Sequence, residues 1–295
     1  MKLSEAIEEF LIACEADGLA HATLIWHTSL LKKFMTWAGS ETELESIEAK
    51  MIREFLVYIR KHYKEHTVSG QNRSLHRFFK WVSNEYQTDN PMRNIKYIQP
   101  PAPTELRAAS TSDIVKLFDA IGDGIWGVRD RAMISFGCDT GSRVGGIVNL
   151  NIHSLDIDNL RAIVTEKGRK SRAVYFSPFT GRLIQKWINM RDAHHDSVFY
   201  NLYTGDALTS SGAQQMIRRL KDRAGITGRM HWHALRHTFS KEYLRNGGDI
   251  ATLSRMLGHA DIKLTMKFYL WFAVEEMAAE HKIFPMTDII QDQQL

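Results

Sequence analysis

Four short runs carry residues able to do chemistry. His233-Ala-Leu-Arg236-His237 opens an amphipathic stretch. His233 and Arg236 are three apart, and His233 and His237 four apart, so a helix sets all three on one face. Leu257-Gly258-His259 closes the next apolar stretch, with a glycine where a helix can stop. Thr140-Gly141-Ser142-Arg143 places an arginine just after a glycine turn, and Tyr269 lies ten residues beyond His259. Arg143 and Arg236 make a guanidinium pair that suits a phosphate, because each fork matches two of its oxygens. Metal binding is the rival chemistry, with His231, His233, His237 and His259 as nitrogen donors. Against it, Ala234 stands where a zinc-protease helix carries its glutamate, and Arg236 inside the cluster repels a cation. A third reading makes these residues ordinary polar groups of surface and core.

The elements that must position them read as mainly α with a small antiparallel β-sheet. Leu3, Ile7, Phe10, Leu11 and Cys14 recur at helical spacing, with Ser4 as cap. Thr23 caps a second helix through Trp37, Ile52 to Ile59 mark a third, and Leu75 to Trp81 a fourth. The fourth helix carries Arg73, His76, Arg77 and Lys80 on its other face, either a phosphate-contact surface or a solvated face. Pro91, Pro100, Pro101 and Pro103 then crowd together, and proline stops both helix and central strand. This predicts a helical domain over 1–90, a linker over 91–105 and a second domain over 106–295. In the second domain, residues 160–165 and 172–176 read as two strands flanking the turn Lys167-Gly168-Arg169-Lys170. Helices are expected near 112–118, 127–139, 144–149, 180–191, 212–224, 234–246, 250–257 and 263–280.

The charge pattern agrees with a polyanionic partner. The 295 residues carry a net +4, but 161–270 hold 19 basic and 8 acidic residues. No run of 18 uncharged apolar residues offers a membrane span, and the acidic N-terminus does not read as a signal peptide. Cys14 and Cys138, in apolar surroundings, fit a reducing compartment, the cytoplasm.

The ordered set resembles the tyrosine recombinase family, the phage integrases and chromosome-dimer resolving recombinases. The matching pieces are TGSRVGGIVNL at 140–150, EKGRKSRAVYF at 166–176, HALRH at 233–237, LGH at 257–259 and Tyr269. The resemblance spans nearly the whole chain and implies a core-binding domain followed by a catalytic domain. It implies catalytic roles for Arg143, Lys167, His233, Arg236, His259 and Tyr269, the last as nucleophile. It implies cleavage and rejoining of double-stranded DNA through a 3′-phosphotyrosyl link, with no metal or nucleotide cofactor, by protomers assembled as a synaptic tetramer. Lys167 would be the general acid, with Lys170 the alternative. Arg73, Arg77, Lys80, Arg169, Lys170 and Arg172 are candidates for DNA contact. No arm-binding domain is evident ahead of the helical domain, which leans the reading towards a simple recombinase at short core sites, with an element integrase close behind.

The chain departs from the family pattern at three places. Gly146 stands where TGLRISEL-type motifs carry an acid. Trp232 replaces the proline often found before HxLRH. The usual spacing from the LGH histidine lands on Phe268, so Tyr269 needs one extra residue, predicting a bulge near Lys267. Two alternatives follow: a DNA-binding protein with a degenerate site, or a metal-dependent phosphodiesterase. The apolar residues beyond Tyr269 read either as packing on their own domain or as a tail that docks on a neighbouring protomer.

Overall fold

The computed structural model describes residues 1–100, 108–166, 170–259, 261–262 and 265–266. The chain divides into two compact units, Met1–Pro103 and Thr104–Leu295.

The first unit is built from α1 (Leu3–Ala16), α2 (His21–Ala38), α3 (Ala49–His62) and α4 (Glu65–Tyr86). Their apolar stripes close over one core that holds Leu3, Phe10, Leu31, Phe34, Phe55, Phe78 and Phe79. Aromatic edges meet faces there, as in Phe34–Phe55 at 5.0 Å and Phe78–Phe79 at 4.9 Å. The helix caps differ from those expected. The N-caps are Lys2 and Ala20, and Ser4 and Thr23 lie inside the first turns.

The proline-bearing segment is not free of the first unit at its start. Met92 is buried in the α1–α4 core, and Ile95 and Ile98 pack against it. Asn72 of α4 accepts from the Ile98 amide at 2.9 Å, and Ser69 donates to the Ile98 carbonyl at 2.8 Å. Proline blocks regular structure there, but side chains of α4 satisfy the exposed backbone instead. The linker expected from residue 91 therefore begins as a strap on the helices.

The second unit runs α5 (Thr111–Asp119), α6 (Gly124–Thr140), α7 (Val144–Val148), β1 (Leu155–Asp156), β2 (Arg161–Glu166), β3 (Lys170–Tyr175), α8 (Pro178–Met190), α9 (Ser210–Arg223), α10 (Trp232–Arg245) and α11 (Ile250–Leu257). The sheet is antiparallel in the order β1-β2-β3, with Ala162 opposite Val174 and Glu166 opposite Lys170. Only two strands were expected; β1 has two residues and shows no alternation to read. Helix α6 is buried along most of its length and packs against α8 and α10. Trp232 fills space where the family prefers proline. It is buried, donates its indole N–H to the Ala213 carbonyl at 3.0 Å, and lies against Gly137, where a Cβ would stand 2.8 Å from the ring. The turn residues 167–169 and the helix expected over 263–280 fall largely outside the described residues, as does the bulge near Lys267.

Candidate active site

Three local structures deliver the site. The first is the end of α6. Gly141 caps it with φ +56, the left-handed region that favours glycine. A side chain there would also strike the Phe239 ring of α10, whose Cδ1 lies 2.4 Å from the Cβ position. The tight turn points the Gly141 carbonyl at α10 and makes Arg143 the N-cap of α7.

The second is α10. Arg236 is 5% exposed, and a buried guanidinium needs its hydrogen bonds. It donates to the Gly141 carbonyl at 2.6 Å and to the Leu257 carbonyl at 2.7 Å, so it bolts the ends of α6 and α11 together. Burial, then the charge of Arg143, pushes its pKa down to about 9, and it stays charged at neutral pH.

The third is the end of α11. Asp249 caps the helix by accepting from the Thr252 amide at 2.6 Å, and Gly258 ends it with φ +64. The chain then delivers His259, whose Nε2 lies 3.0 Å from Arg236 Nη2 and whose Nδ1 lies 2.7 Å from Thr265 Oγ1. Burial first, then Arg236 and Arg143, holds the His259 pKa down to about 4.

Residues far apart in sequence thus converge as expected for Arg143, Arg236 and His259. His233, on the first turn of α10, is exposed, yet partial desolvation and the charges of Arg236 and Arg143 keep its pKa below the ordinary value. Lys167, Arg169 and Tyr269 lie outside the described residues. Arg73, Arg77, Lys80 and Lys170 are exposed, as a DNA-contacting role requires. His76, which shares that face by spacing, is half-buried and stacks on Tyr97 at 3.9 Å.

Arg172, a candidate for DNA contact, has a side chain 14% exposed that turns inward to Glu166 at 3.2 Å. Its stem lies against Gly258, and its Nε and Nη1 are buried with no hydrogen-bond partner among the described residues.

Two residues escaped the sequence reading, Glu166 and Thr265. Glu166 was in view as the first residue of the EKGRKSRAVYF stretch. The signal was the glycine at 146, which leaves a group of arginines short of a carboxylate.

Among the described residues, no group of three or more His, Cys, Asp or Glu side chains is placed to hold a metal ion. No helix among them is long and apolar enough to cross a membrane.

A helical unit followed by a mainly helical unit with a three-stranded sheet, bearing two arginines and a histidine at one point, defines the class of tyrosine-type DNA strand-transfer enzymes. The chain belongs to the phage integrase family, whose model matches residues 106–274. It is 27% identical over 268 residues to the tyrosine recombinase XerC of Staphylococcus carnosus, covering 88% of this chain and 89% of that one. It is 28% identical over 293 residues to the tyrosine recombinase XerD of Ralstonia nicotianae, covering 94% and 93%. Two solved structures share the fold at a TM-score of 0.74. One is the XerH site-specific recombinase bound to a palindromic difH substrate, 21% identical, covering 94% of this chain and 84% of that one. The other is the Tn1549 transposon integrase in complex with transposon right end DNA, 18% identical, covering 96% and 99%.

Proposed function

We propose that this protein is a site-specific recombinase that cleaves and rejoins duplex DNA through a 3′-phosphotyrosyl intermediate. The observation that carries this is the convergence of Arg143, Arg236 and His259 from three separate segments within the stretch that matches the family. A phosphodiester resists attack because its oxygens shield phosphorus with negative charge. Arg143 and Arg236 offset that charge at the non-bridging oxygens, most strongly as it builds in the transition state. Tyr269 attacks phosphorus, its phenolate favoured by the guanidinium field and its proton passed to a neighbouring histidine. The P–O5′ bond breaks, and Lys167 protonates the departing 5′-oxygen. The phosphotyrosyl ester keeps the energy of the broken bond, so rejoining to another 5′-hydroxyl needs no nucleotide. No step calls for a metal, and cleavage is expected to persist in a chelator.

Helical residues 1–90 serve as the core-binding part and 106–295 as the catalytic part. Exposed Arg73, Arg77, Lys80 and Lys170 supply phosphate contacts, joined by Arg169. Strand exchange takes place in a tetramer on DNA, held by the segment beyond Tyr269. A truncation after Lys282 should still bind DNA and fail to form complexes larger than the wild type's simplest one.

A nicked suicide substrate tests the chemistry, because loss of the 5′-hydroxyl fragment traps the covalent protein. Wild type should accumulate an adduct that maps to Tyr269 by peptide mass. Tyr269→Phe should abolish it with DNA affinity nearly unchanged. An adduct that survives this substitution, or that maps to Tyr243, refutes the assignment; no adduct on any site-bearing DNA returns the protein to the role of a binder.

A further inference from the structure

One carboxylate lies at the centre of the arginines, and the roles assigned above do not use it. Glu166 ends β2 with its side chain 6% exposed. Its Oε1 accepts from the Arg143 backbone amide at 3.2 Å and from an Arg172 guanidinium nitrogen at 3.2 Å. Its Oε2 pairs with the Arg143 guanidinium, and Arg236 Nη1 lies 3.9 Å from Oε1. An ionised carboxylate offers about four lone-pair sites and no donor. Three are engaged by donors here, and the remaining cation is at ion-pair range. Arg236 has two backbone carbonyls to hold it, whereas Glu166 fixes both the backbone and the side chain of Arg143.

A second observation, the space at Gly146, explains why the carboxylate comes from β2. Arg143 is the N-cap of α7, so Gly146 occupies the third helical position. A glutamate at that position ordinarily reaches back to the N-cap amide. Glu166 makes that same bond from the end of strand β2. Gly146 does not have a left-handed backbone that would demand glycine, and glycine is a poor helix former. What it supplies is room: a Cβ there would lie 3.3 Å from Glu166 Cγ, 3.7 Å from Oε1 and 3.6 Å from Val164 Cβ. The two positions compete for one volume.

We propose that Glu166 is the positioning residue that sets the geometry of Arg143 and Arg172 towards the scissile phosphate, and that positions 146 and 166 can exchange this task. One carboxylate, from either place, is required, and two do not fit. The inference rests on the proposed strand-cleavage function for its kinetic consequence and on the arginine geometry alone for its structural one.

The test compares Glu166→Gln with the exchanged pair Gly146→Glu/Glu166→Gly and with Glu166→Gly alone. The readouts are the first-order rate of adduct formation on prebound suicide DNA, the DNA Kd and the melting temperature. Glu166→Gln and Glu166→Gly should lose a hundredfold or more in rate with Kd within threefold of wild type. The exchanged pair should recover to within tenfold of wild type. A residue that only stabilises the fold would lower the melting temperature and leave the rate on bound DNA unchanged. Glu166→Gln cutting within threefold of wild type overturns the proposal. So does an exchanged pair no faster than Glu166→Gly, or one that does not fold. If the single variants do not fold, recovery in a folded exchanged pair supports the proposal and its absence overturns it. Wild type without any adduct defeats the functional reading, and arginine side-chain NMR then decides the geometry. Distinct, slowly exchanging Arg143 and Arg172 resonances should collapse in Glu166→Gln and return in the exchanged pair; resonances indifferent to Glu166→Gln overturn it.

Discussion

Arginine has no acceptor atom, so the contact between Arg236 Nη2 and His259 Nε2 has one assignment: the guanidinium donates and the ring accepts. The proton of the neutral imidazole is then on Nδ1 and goes to Thr265 Oγ1. The low pKa agrees, because an imidazolium there would face Arg236 from inside the protein. In the proposed reaction, a hydrogen bond from His259 to a phosphate oxygen requires its proton to move to Nε2, which binding of an anion beside Arg236 would favour. Two outcomes are expected. Nitrogen NMR of the DNA-free protein should show His259 as the Nδ1–H tautomer, unchanged from pH 8 down to pH 5; a proton on Nε2 contradicts this. Thr265→Val, which keeps the shape and removes the hydroxyl that accepts from Nδ1–H in one tautomer and donates to Nδ1 in the other, should slow adduct formation by up to about tenfold, the net worth of one hydrogen bond. Wild-type rates in that variant would show that the tautomer is set elsewhere.

Helices matter here mainly through their ends. Gly141→Ala would force a side chain into the left-handed region and into the Phe239 ring, and its carbonyl would turn from Arg236. Steric and backbone costs of this kind amount to about 1–3 kcal/mol, and loss of cleavage should exceed loss of stability. In the first unit, His27 of α2 joins α4 through Ser74 Oγ at 2.8 Å, and burial, helped by Arg77 and Arg73, holds its pKa down to about 4. Unfolded, the ring titrates near 6.5. Between these values the unfolded chain binds a proton that the folded chain refuses, so stability is full above about pH 6.5 and falls towards pH 4. The loss reaches up to about 3 kcal/mol. Hydrogen exchange of α4 amides should quicken over that window, and His27→Gln should flatten the response; identical pH profiles would exclude His27 as the source. Much of this architecture was legible because it is periodic. The apolar stripes from Phe10 to Phe79 locate α1–α4, and alternation finds β2 and β3. The helix stop at Gly258 was read from one residue type. Helix starts were less legible, since Lys2 and Ala20 are not capping types and the backbone entry decided them. Arg143, Arg236 and His259 were found by motif order. Glu166 and the inward turn of Arg172 were not, because their pairing depends on strand β2 passing beside a glycine on α7.

At the scale of the whole molecule, the proposed reaction divides the basic groups between the two units. The second unit holds Arg143, Arg172 and Arg236 against Glu166 and backbone carbonyls, where the proposed reaction places one phosphate. The first holds its bases outward: Arg73, Arg77 and Lys80 are exposed along α4, with Arg73 also resting on the Trp26 ring at 5.1 Å. Outward bases release counterions when they meet DNA, so they set affinity and its salt dependence without touching the reacting atoms. Replacing Arg73, Arg77 and Lys80 together with alanine should weaken duplex binding roughly equally for every sequence. The slope of log Kd against log salt should shrink by about 0.9 for each phosphate that is no longer neutralised, up to ~2.7 in all. At protein concentrations that saturate the DNA, the first-order rate of adduct formation should stay within threefold of wild type. Filter binding from low to high salt and suicide-substrate kinetics measure the two quantities separately. A triple variant with an unchanged salt slope would make that face of α4 a solvated surface, and a variant that binds normally but cuts slowly would place α4 in the chemistry instead.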